Sequence, residues 1–210
     1  EHQQSTLISL VVPVFNEQDS IGRFVESLRE VFNPLAPSVA CQIVFVNDGS
    51  QDATEFAIRT VMQKDERIAL INLSRNFGKD SAMCAGLEHA QGDAVIPMDV
   101  DLQDAPEVIP DMIRKWRNGA KVVNARRIDR SKDSWAKQMS ATAFYKVFNA
   151  LSEHSIPSNV GDFRLLDRQV VDVVRTLGER SRFNKSLFSW VGFETAEVTF
   201  ERPERAAGTS

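Results

Sequence analysis

Only two cysteines, Cys41 and Cys84, occur in the 210 residues, both in apolar surroundings and neither with a second cysteine or histidine at metal-ligand spacing. No disulfide framework is needed, and both are expected to be small core residues in a reducing compartment. The three histidines, His2, His89 and His154, are scattered and fall in no ligand pattern. No apolar run approaches the roughly 20 residues that span a bilayer, and no secretory signal precedes the first apolar run. Excess positive charge is missing too: 25 Lys and Arg against 29 Asp and Glu give −4, so no global basic field points to nucleic acid. Internal repeats, low-complexity tracts and clear interdomain linkers are absent. So are the usual phosphate loops, since Gly78-Lys79 lacks the upstream glycine and following hydroxyl of a P-loop, and no Gly-x-Gly-x-x-Gly follows the first strand.

What is there suits one soluble globular domain over 1–210, with 42% hydrophobic and 26% charged residues and enough chain for a core without staples. The chain starts at Glu1 without methionine and stops at Gly208-Thr209-Ser210, as expected of a trimmed sequence. Strand and helix patterns alternate, which predicts an α/β fold with a mostly parallel sheet covered on both faces. Strands are expected over 7–14, 42–46, 68–73 and 121–125, with a fourth in the apolar run that opens the stretch from Ala94 to Asp104. The helix after the first strand carries Ile21, Phe24, Val25, Leu28, Val31 and Phe32 at helical spacing, with Asp19 or Ser20 as its cap. Ser50 and Asp52 suit the start of a second helix bearing Phe56, Ala57, Thr60 and Val61, a small-residue helix ends near Ala90, and Pro106-Glu107 starts one with Val108, Ile109, Met112, Ile113 and Trp116 inward. Further on, helices are expected over 134–151, 168–177 and 182–190, a turn and short strand over 160–166, and a last, antiparallel strand over 195–201.

The central stretch is Ala94-Val95-Ile96-Pro97-Met98-Asp99-Val100-Asp101-Leu102-Gln103-Asp104, a buried-strand pattern that ends in three carboxylates and an amide. If strand geometry persists, Asp99 and Asp101 share a face. Two carboxylates about 4 Å apart repel by roughly 4 kcal/mol at an effective dielectric near 20, so one protonates or a cation sits between them. A hard divalent ion meets that demand, with Gln103 offering another oxygen; the bland reading is a solvated loop whose acids never meet. The other polar clusters, Asn16-Glu17, Asp48, Arg75-Asn76 and Arg126-Arg127, also follow predicted strands. Parallel strands deliver all of these to one edge of the sheet, where open α/β sheets bind ligands. Acids, a cation and several arginines suit a nucleotide diphosphate.

Five segments in order, Val12-Pro13-Val14-Phe15-Asn16-Glu17, Val46-Asn47-Asp48-Gly49-Ser50, Arg75-Asn76-Phe77-Gly78-Lys79, Met98-Asp99-Val100-Asp101-Leu102-Gln103-Asp104 and Gly161-Asp162-Phe163-Arg164-Leu165, resemble the family 2 glycosyltransferases. Within them the chain is similar to the polyprenyl-phosphate branch, which includes dolichyl-phosphate mannose synthase and the bactoprenol glucosyltransferases. The resemblance covers almost the whole chain. It implies a GT-A fold, Mg²⁺ or Mn²⁺, and inverting transfer of a sugar, best matched by glucose from UDP-glucose, to undecaprenyl or another polyprenyl phosphate. Residues 1–127 would form the nucleotide-sugar part and 128–210 the acceptor side. It also implies action at the cytoplasmic face of the bacterial inner membrane, O-antigen modification as a role, and membrane-spanning helices after the matched segment in relatives.

Carried over, the resemblance puts Pro13, Phe15, Glu17, Val46 and Asp48 around the base and ribose. It puts Asp99, Val100, Asp101 and Gln103 at the diphosphate and metal, with Asp101 and Gln103 as direct ligands, Arg126 on a donor phosphate and Arg164 near the donor. Arg127, Arg130 or Lys132 would hold the acceptor phosphate. Phe15 stands where relatives often carry Tyr. Each has a plainer alternative: Phe15 as core, Glu17 as a helix cap, Asp48 as the holder of its Asp-Gly turn, Arg127 and Arg130 as surface charges. Trp116, Trp135 and Trp190 are expected to pack, with Trp135 and the 187–191 run also suited to a membrane or a second copy of the chain. Two rival functions stay open: a soluble family 2 transferase acting on a carbohydrate or protein hydroxyl, with Asp104 as the nearest base, and a non-catalytic nucleotide-sugar-binding module.

Overall fold

The first four apolar runs become β1 (Thr6–Val14), β2 (Val39–Asn47), β3 (Ile68–Asn72) and β4 (Ala94–Pro97), paired in parallel in the order β3-β2-β1-β4. They belong to a computed structural model that describes residues 5–128, 160–176 and 193–201. Beyond β4 the seven-stranded sheet continues through β6 (Val160–Asp167), β5 (Val122–Ile128) and β7 (Thr195–Glu201). Because β1 sends the chain outward to β2 on one side and meets β4 on the other, the strand order reverses between β1 and β4. A crevice opens at such a point, at the carboxyl ends of the strands.

Among the described residues five α-helices cover the sheet: α1 (Ile21–Phe32), α2 (Thr54–Met62), α3 (Lys79–His89), α4 (Ile109–Arg117) and α5 (Arg168–Thr176). Alternation along β1 divides the core. Ile8, Leu10, Val12 and Val14 pack with Phe24, Leu28, Ile58, Ile109 and Met112 of α1, α2 and α4. Val11 points the other way, to Met83 and Leu87 of α3 and Val170 and Val174 of α5. The apolar stripe of α1, Ile21, Phe24, Val25, Leu28 and Phe32, is buried along its whole length; each such side chain contributes about 1.5–3 kcal/mol by leaving water. Gly86 lets α3 sit hard on the sheet, because a Cβ there would collide with Val11 and approach Val46 Cγ2 to 3.0 Å.

Several expectations need correction. The antiparallel member is β6, which runs against both β4 and β5, whereas β7 pairs in parallel with β5. Alternation in 195–201 reveals a half-buried strand but carries no information about its direction. The fifth strand runs on to Ile128, so Arg126 and Arg127 lie within it. Ser20 is at the N-cap of α1 but makes no side-chain cap; its hydroxyl donates to Glu17 Oε2 at 2.8 Å. Asp52 does serve the start of α2, accepting from both the backbone N–H and the hydroxyl of Thr54. Pro106–Val108 is a 3₁₀ turn that leads into α4 at Ile109. The helices expected over 134–151 and 182–190 lie outside the described residues. No helix among the described residues is long and apolar enough to cross a membrane.

Far from the crevice, Asp65 in the turn between α2 and β3 ties elements together. Its carboxylate accepts from Arg67 at 2.7 and 2.8 Å and from Arg29 of α1 at 3.2 and 3.3 Å. The Arg67 bonds, outweighing burial, hold the Asp65 carboxyl down at about 2. A carboxylate whose pKa is lower folded than unfolded stabilises the fold above its unfolded value, and that contribution fades as pH falls through the folded one. Asp65→Asn is therefore expected to cost about 2 kcal/mol at neutral pH, a gap that narrows as pH falls from about 4 toward 2. Urea unfolding of both proteins across that range checks it; a gap independent of pH contradicts it.

Candidate active site

The loops after β1, β2 and β3 are fastened to one another by side-chain-to-backbone hydrogen bonds. After β1, Asn16 N–H donates to Ser50 Oγ at 3.0 Å and its Oδ1 accepts from Gln51 N–H at 2.8 Å. Glu17 N–H donates to Thr54 Oγ1 at 2.8 Å, and Gln18 Oε1 accepts from Ala53 N–H at 2.9 Å. Asn16 takes a left-handed φ of 55°, which asparagine tolerates better than most residues. After β2, buried Asp48 spans to the loop beyond β3, its two oxygens accepting from Phe77 N–H at 2.7 Å and Gly78 N–H at 2.9 Å. Gly49, with φ +71°, makes that approach feasible: a Cβ there would lie 2.5 Å from the Arg75 carbonyl carbon and 2.6 Å from Asn76 N.

The crevice so bounded is a cavity of about 380 Å³ lined by Pro13, Phe15, Glu17, Asp48, Asn76, Lys79, Asp99, Val100 and Asp101, with Val14 and Gly78. It draws on the ends of four strands, β1 to β4. Phe15 is 43% exposed, so it is no core residue, and its ring is free to stack on a flat ligand. Phe77 is also exposed, with the Arg75 guanidinium 4.8 Å from its ring centre. Glu17 accepts from the Ser20 hydroxyl, and Asp48 grips the neighbouring loop beyond its own Asp-Gly turn.

Strand geometry does not persist through Asp101. β4 stops at Pro97, residues 100 and 101 form a turn, and Leu102 is left-handed with φ 57°. A side chain such as Leu in this conformation costs roughly 1–2 kcal/mol, a strain of the kind that gathers at functional sites. The turn brings Gln103 back onto Asp101: its backbone N–H meets Asp101 Oδ1 at 3.0 Å and its Nε2 donates to Oδ2 at 2.6 Å. Both side chains are exposed at the rim. Asp99 instead faces Lys79, whose Nζ lies 2.6 Å from Oδ1 and 2.8 Å from Oδ2. Asp104 accepts weakly from Asp99 N–H at 3.4 Å and does not line the cavity. Burial pushes its carboxyl up to about 6; the Asp99 amide and Lys79 oppose this, while the Asp99 and Asp101 charges add to it.

Exposed carboxylate and carboxamide oxygens are hard donors that suit Mg²⁺ or Mn²⁺. Among the described residues no three His, Cys, Asp or Glu side chains group to hold a metal unaided. Asp101 and Gln103 therefore fit a cation whose remaining ligands come from phosphate and water, the usual manner of Mg²⁺ binding. In this arrangement the amide nitrogen of Gln103, not its oxygen, meets Asp101, so ligation through the oxygen requires the amide to turn.

Three expected site residues stand elsewhere. Val46 is fully buried beside Val44 and Ala82 beneath α3, because alternation turns it inward one residue before the rim. Arg126 is paired with Glu197 of β7 at 3.8 Å, not with the cavity. Arg164 is 4% exposed and alternates with Phe163 and Leu165, which put their side chains into the α1 and α4 core. Arg127 has a described backbone, opposite Phe200, and Arg130, Lys132 and Trp135 lie outside the described residues. Asn76, expected at the shared edge but given no role there, lines the cavity, and so does Lys79, which follows β3 at the same edge and was not expected in the site.

The fold and rim define an α/β protein of the GT-A type, with a seven-stranded, mostly parallel sheet and a ligand crevice at its strand ends. Residues 9–175 match the model of glycosyl transferase family 2, and the chain belongs to that family. It is 51% identical over 97% of its length to the bactoprenol glucosyl transferase of Shigella phage SfV, covering 66% of that protein. The chain thus spans about two thirds of the length of such curated relatives. Among solved structures, it resembles the mannosyltransferase PcManGT of Pyrobaculum calidifontis in complex with GDP-Man and Mn²⁺, at TM-score 0.67 and 19% identity over 96% of this chain and 59% of that one. It also resembles glucosyl-3-phosphoglycerate synthase of Mycobacterium tuberculosis with Mn²⁺, UDP-Glc and phosphoglyceric acid, at TM-score 0.56 and 17% identity over 97% and 73%.

The tight passage at Gly49 yields a test. Gly49→Ala combines a disfavoured φ with backbone overlap and is expected to lower stability by about 2 kcal/mol in urea unfolding. A loss below about 0.5 kcal/mol contradicts the close approach of these loops.

Proposed function

We propose that the protein transfers glucose from UDP-glucose to a polyprenyl phosphate, such as undecaprenyl phosphate, as an inverting, divalent-cation-dependent glycosyltransferase. The observation that carries this reading is the 51% identity to a bactoprenol glucosyl transferase along 97% of the chain, with Asp99 and Asp101 at the crevice where the strand order reverses. Action at the cytoplasmic face of the bacterial inner membrane follows from a membrane-lipid acceptor and belongs to the same proposal.

In this reading Phe15 stacks on the uracil, and Glu17 accepts hydrogen bonds from the ribose. Asp48 keeps the Phe77-Gly78 backbone in position beneath the nucleotide. Asp99 and Asp101 face the diphosphate; Mg²⁺ or Mn²⁺ held through Asp101 and Gln103 would neutralise charge on the departing UDP. The acceptor needs little activation, because a phosphate monoester with a second pKa near 6 is largely ionised at neutral pH. Its oxygen attacks the anomeric carbon as the bond to UDP breaks, with inversion, so orientation and charge matter more than a strong base. Arg127 and Arg130, with Lys132, are proposed to hold the lipid phosphate against repulsion from the donor. Arg126 and Arg164 are proposed to support the donor side indirectly, from the positions described above.

Transfer of labelled glucose to undecaprenyl phosphate, with thermal shift by UDP and Mn²⁺ alongside, tests the reading. Asp101→Ala is expected to abolish the Mn²⁺-dependent shift and reduce transfer by at least about a hundredfold. Near-normal turnover of the variant contradicts the role of Asp101. Transfer to a soluble hydroxyl without any lipid phosphate points to the other acceptor class, and binding with no transfer at all points to a binding module.

A further inference from the structure

The cavity is mostly acidic, with Glu17, Asp48, Asp99 and Asp101 on its walls, yet the ligand proposed for it is itself an anion. Lys79, at the first position of α3, is the lysine or arginine that lines it among the described residues. Its ammonium is held by both oxygens of Asp99, at 2.6 and 2.8 Å, while the two side chains remain 49% and 43% exposed. An ion pair this open to water is weak, so its partners exchange at little cost. It also puts a positive charge beside the acids on which a divalent cation depends.

We propose that Lys79 is a displaceable counter-cation: it neutralises Asp99 while the cavity is empty and turns to the donor diphosphate when nucleotide and divalent cation occupy the site together. This rests on the functional reading above and adds a coupling to it. While Lys79 holds Asp99, a bare divalent ion meets a site whose negative charge is partly cancelled, so the free ion binds poorly. Once a diphosphate draws the ammonium away, the acids regain their charge and the ion binds well. By linkage, nucleotide and ion strengthen each other's binding by the same factor. Lys79 is a positioning residue in this scheme, and its charge sets the size of the coupling.

Titration of the chain with Mn²⁺ alone, followed by Mn²⁺ paramagnetic resonance, and with UDP in the presence of Mn²⁺, by calorimetry, separates the two roles. Lys79→Gln is expected to tighten Mn²⁺ binding without nucleotide by about three- to tenfold, through removal of a neighbouring positive charge, and to weaken UDP binding with Mn²⁺ about tenfold. Lys79→Arg, which keeps the charge, is expected to stay within about threefold of wild type in both titrations. Mn²⁺ binding by Lys79→Gln that is unchanged or weaker than wild type overturns the proposal, as does unchanged UDP binding. If wild type binds UDP with Mn²⁺ but the lysine variants do not differ, the counter-cation role alone fails. If wild type binds no UDP with Mn²⁺, the functional reading fails with it.

Discussion

Asp48 is buried at the end of β2, and both its oxygens are filled by backbone amides of a loop that belongs to the next strand. The rest of the rim depends on that grip. It sets the start of α3, which sets Lys79, which faces Asp99 across the cavity. Hydrogen bonds with a charged acceptor are about twice as strong as neutral ones, and a buried carboxylate that lost them would be left with its desolvation cost. The 15–18 and 50–54 segments are joined by a similar set of bonds, so the loops after β1, β2 and β3 act as one frame. The frame gives the acids fixed positions before any ligand arrives, which is what pre-organised binding of a charged ligand requires.

Within the frame, charge is balanced locally. Asp99 has Lys79, Asp101 has the amide of Gln103, and Asp104 is half-buried with its carboxyl pushed up. Of three carboxyls within six positions, two thus have a donor of their own, and the third is pushed up by burial with the charges of the other two adding to it. Leu102 in its left-handed turn is the backbone feature that separates them, because it sends Gln103 back to Asp101 and away from Asp99. The strain it carries is localised where the family 2 chemistry is proposed to occur.

Much of the fold was legible because its signals are local. The buried runs of β1, β2 and β4 are nearly continuous and apolar, and α1 repeats its apolar residues at strict helical spacing. The shared edge followed from topology alone, since parallel strands deliver their polar ends together. Features decided by pairing at a distance were not legible. The direction of β7 depends on its docking beside β5, and Arg126 is claimed by Glu197, which lies 71 positions later in the chain. The family resemblance put Val46 at the nucleotide, but strand alternation faces it to α3. Asp-x-Asp suggested two acids on one face, whereas the strand ends at Pro97, a residue with no N–H for the ladder. Lys79 was visible as part of a motif, but its meeting with Asp99 across the cavity needed the structure.

The account reduces to whether a nucleotide and a divalent cation meet at Asp101. Crystals grown with UDP and Mn²⁺, measured for the anomalous signal of manganese, address this directly. The account predicts a manganese peak in contact with the Asp101 carboxylate and the UDP phosphates, with the uracil against Phe15. A peak elsewhere, or UDP bound in the cavity while Asp101 keeps its bond to Gln103 and no metal is near, contradicts it.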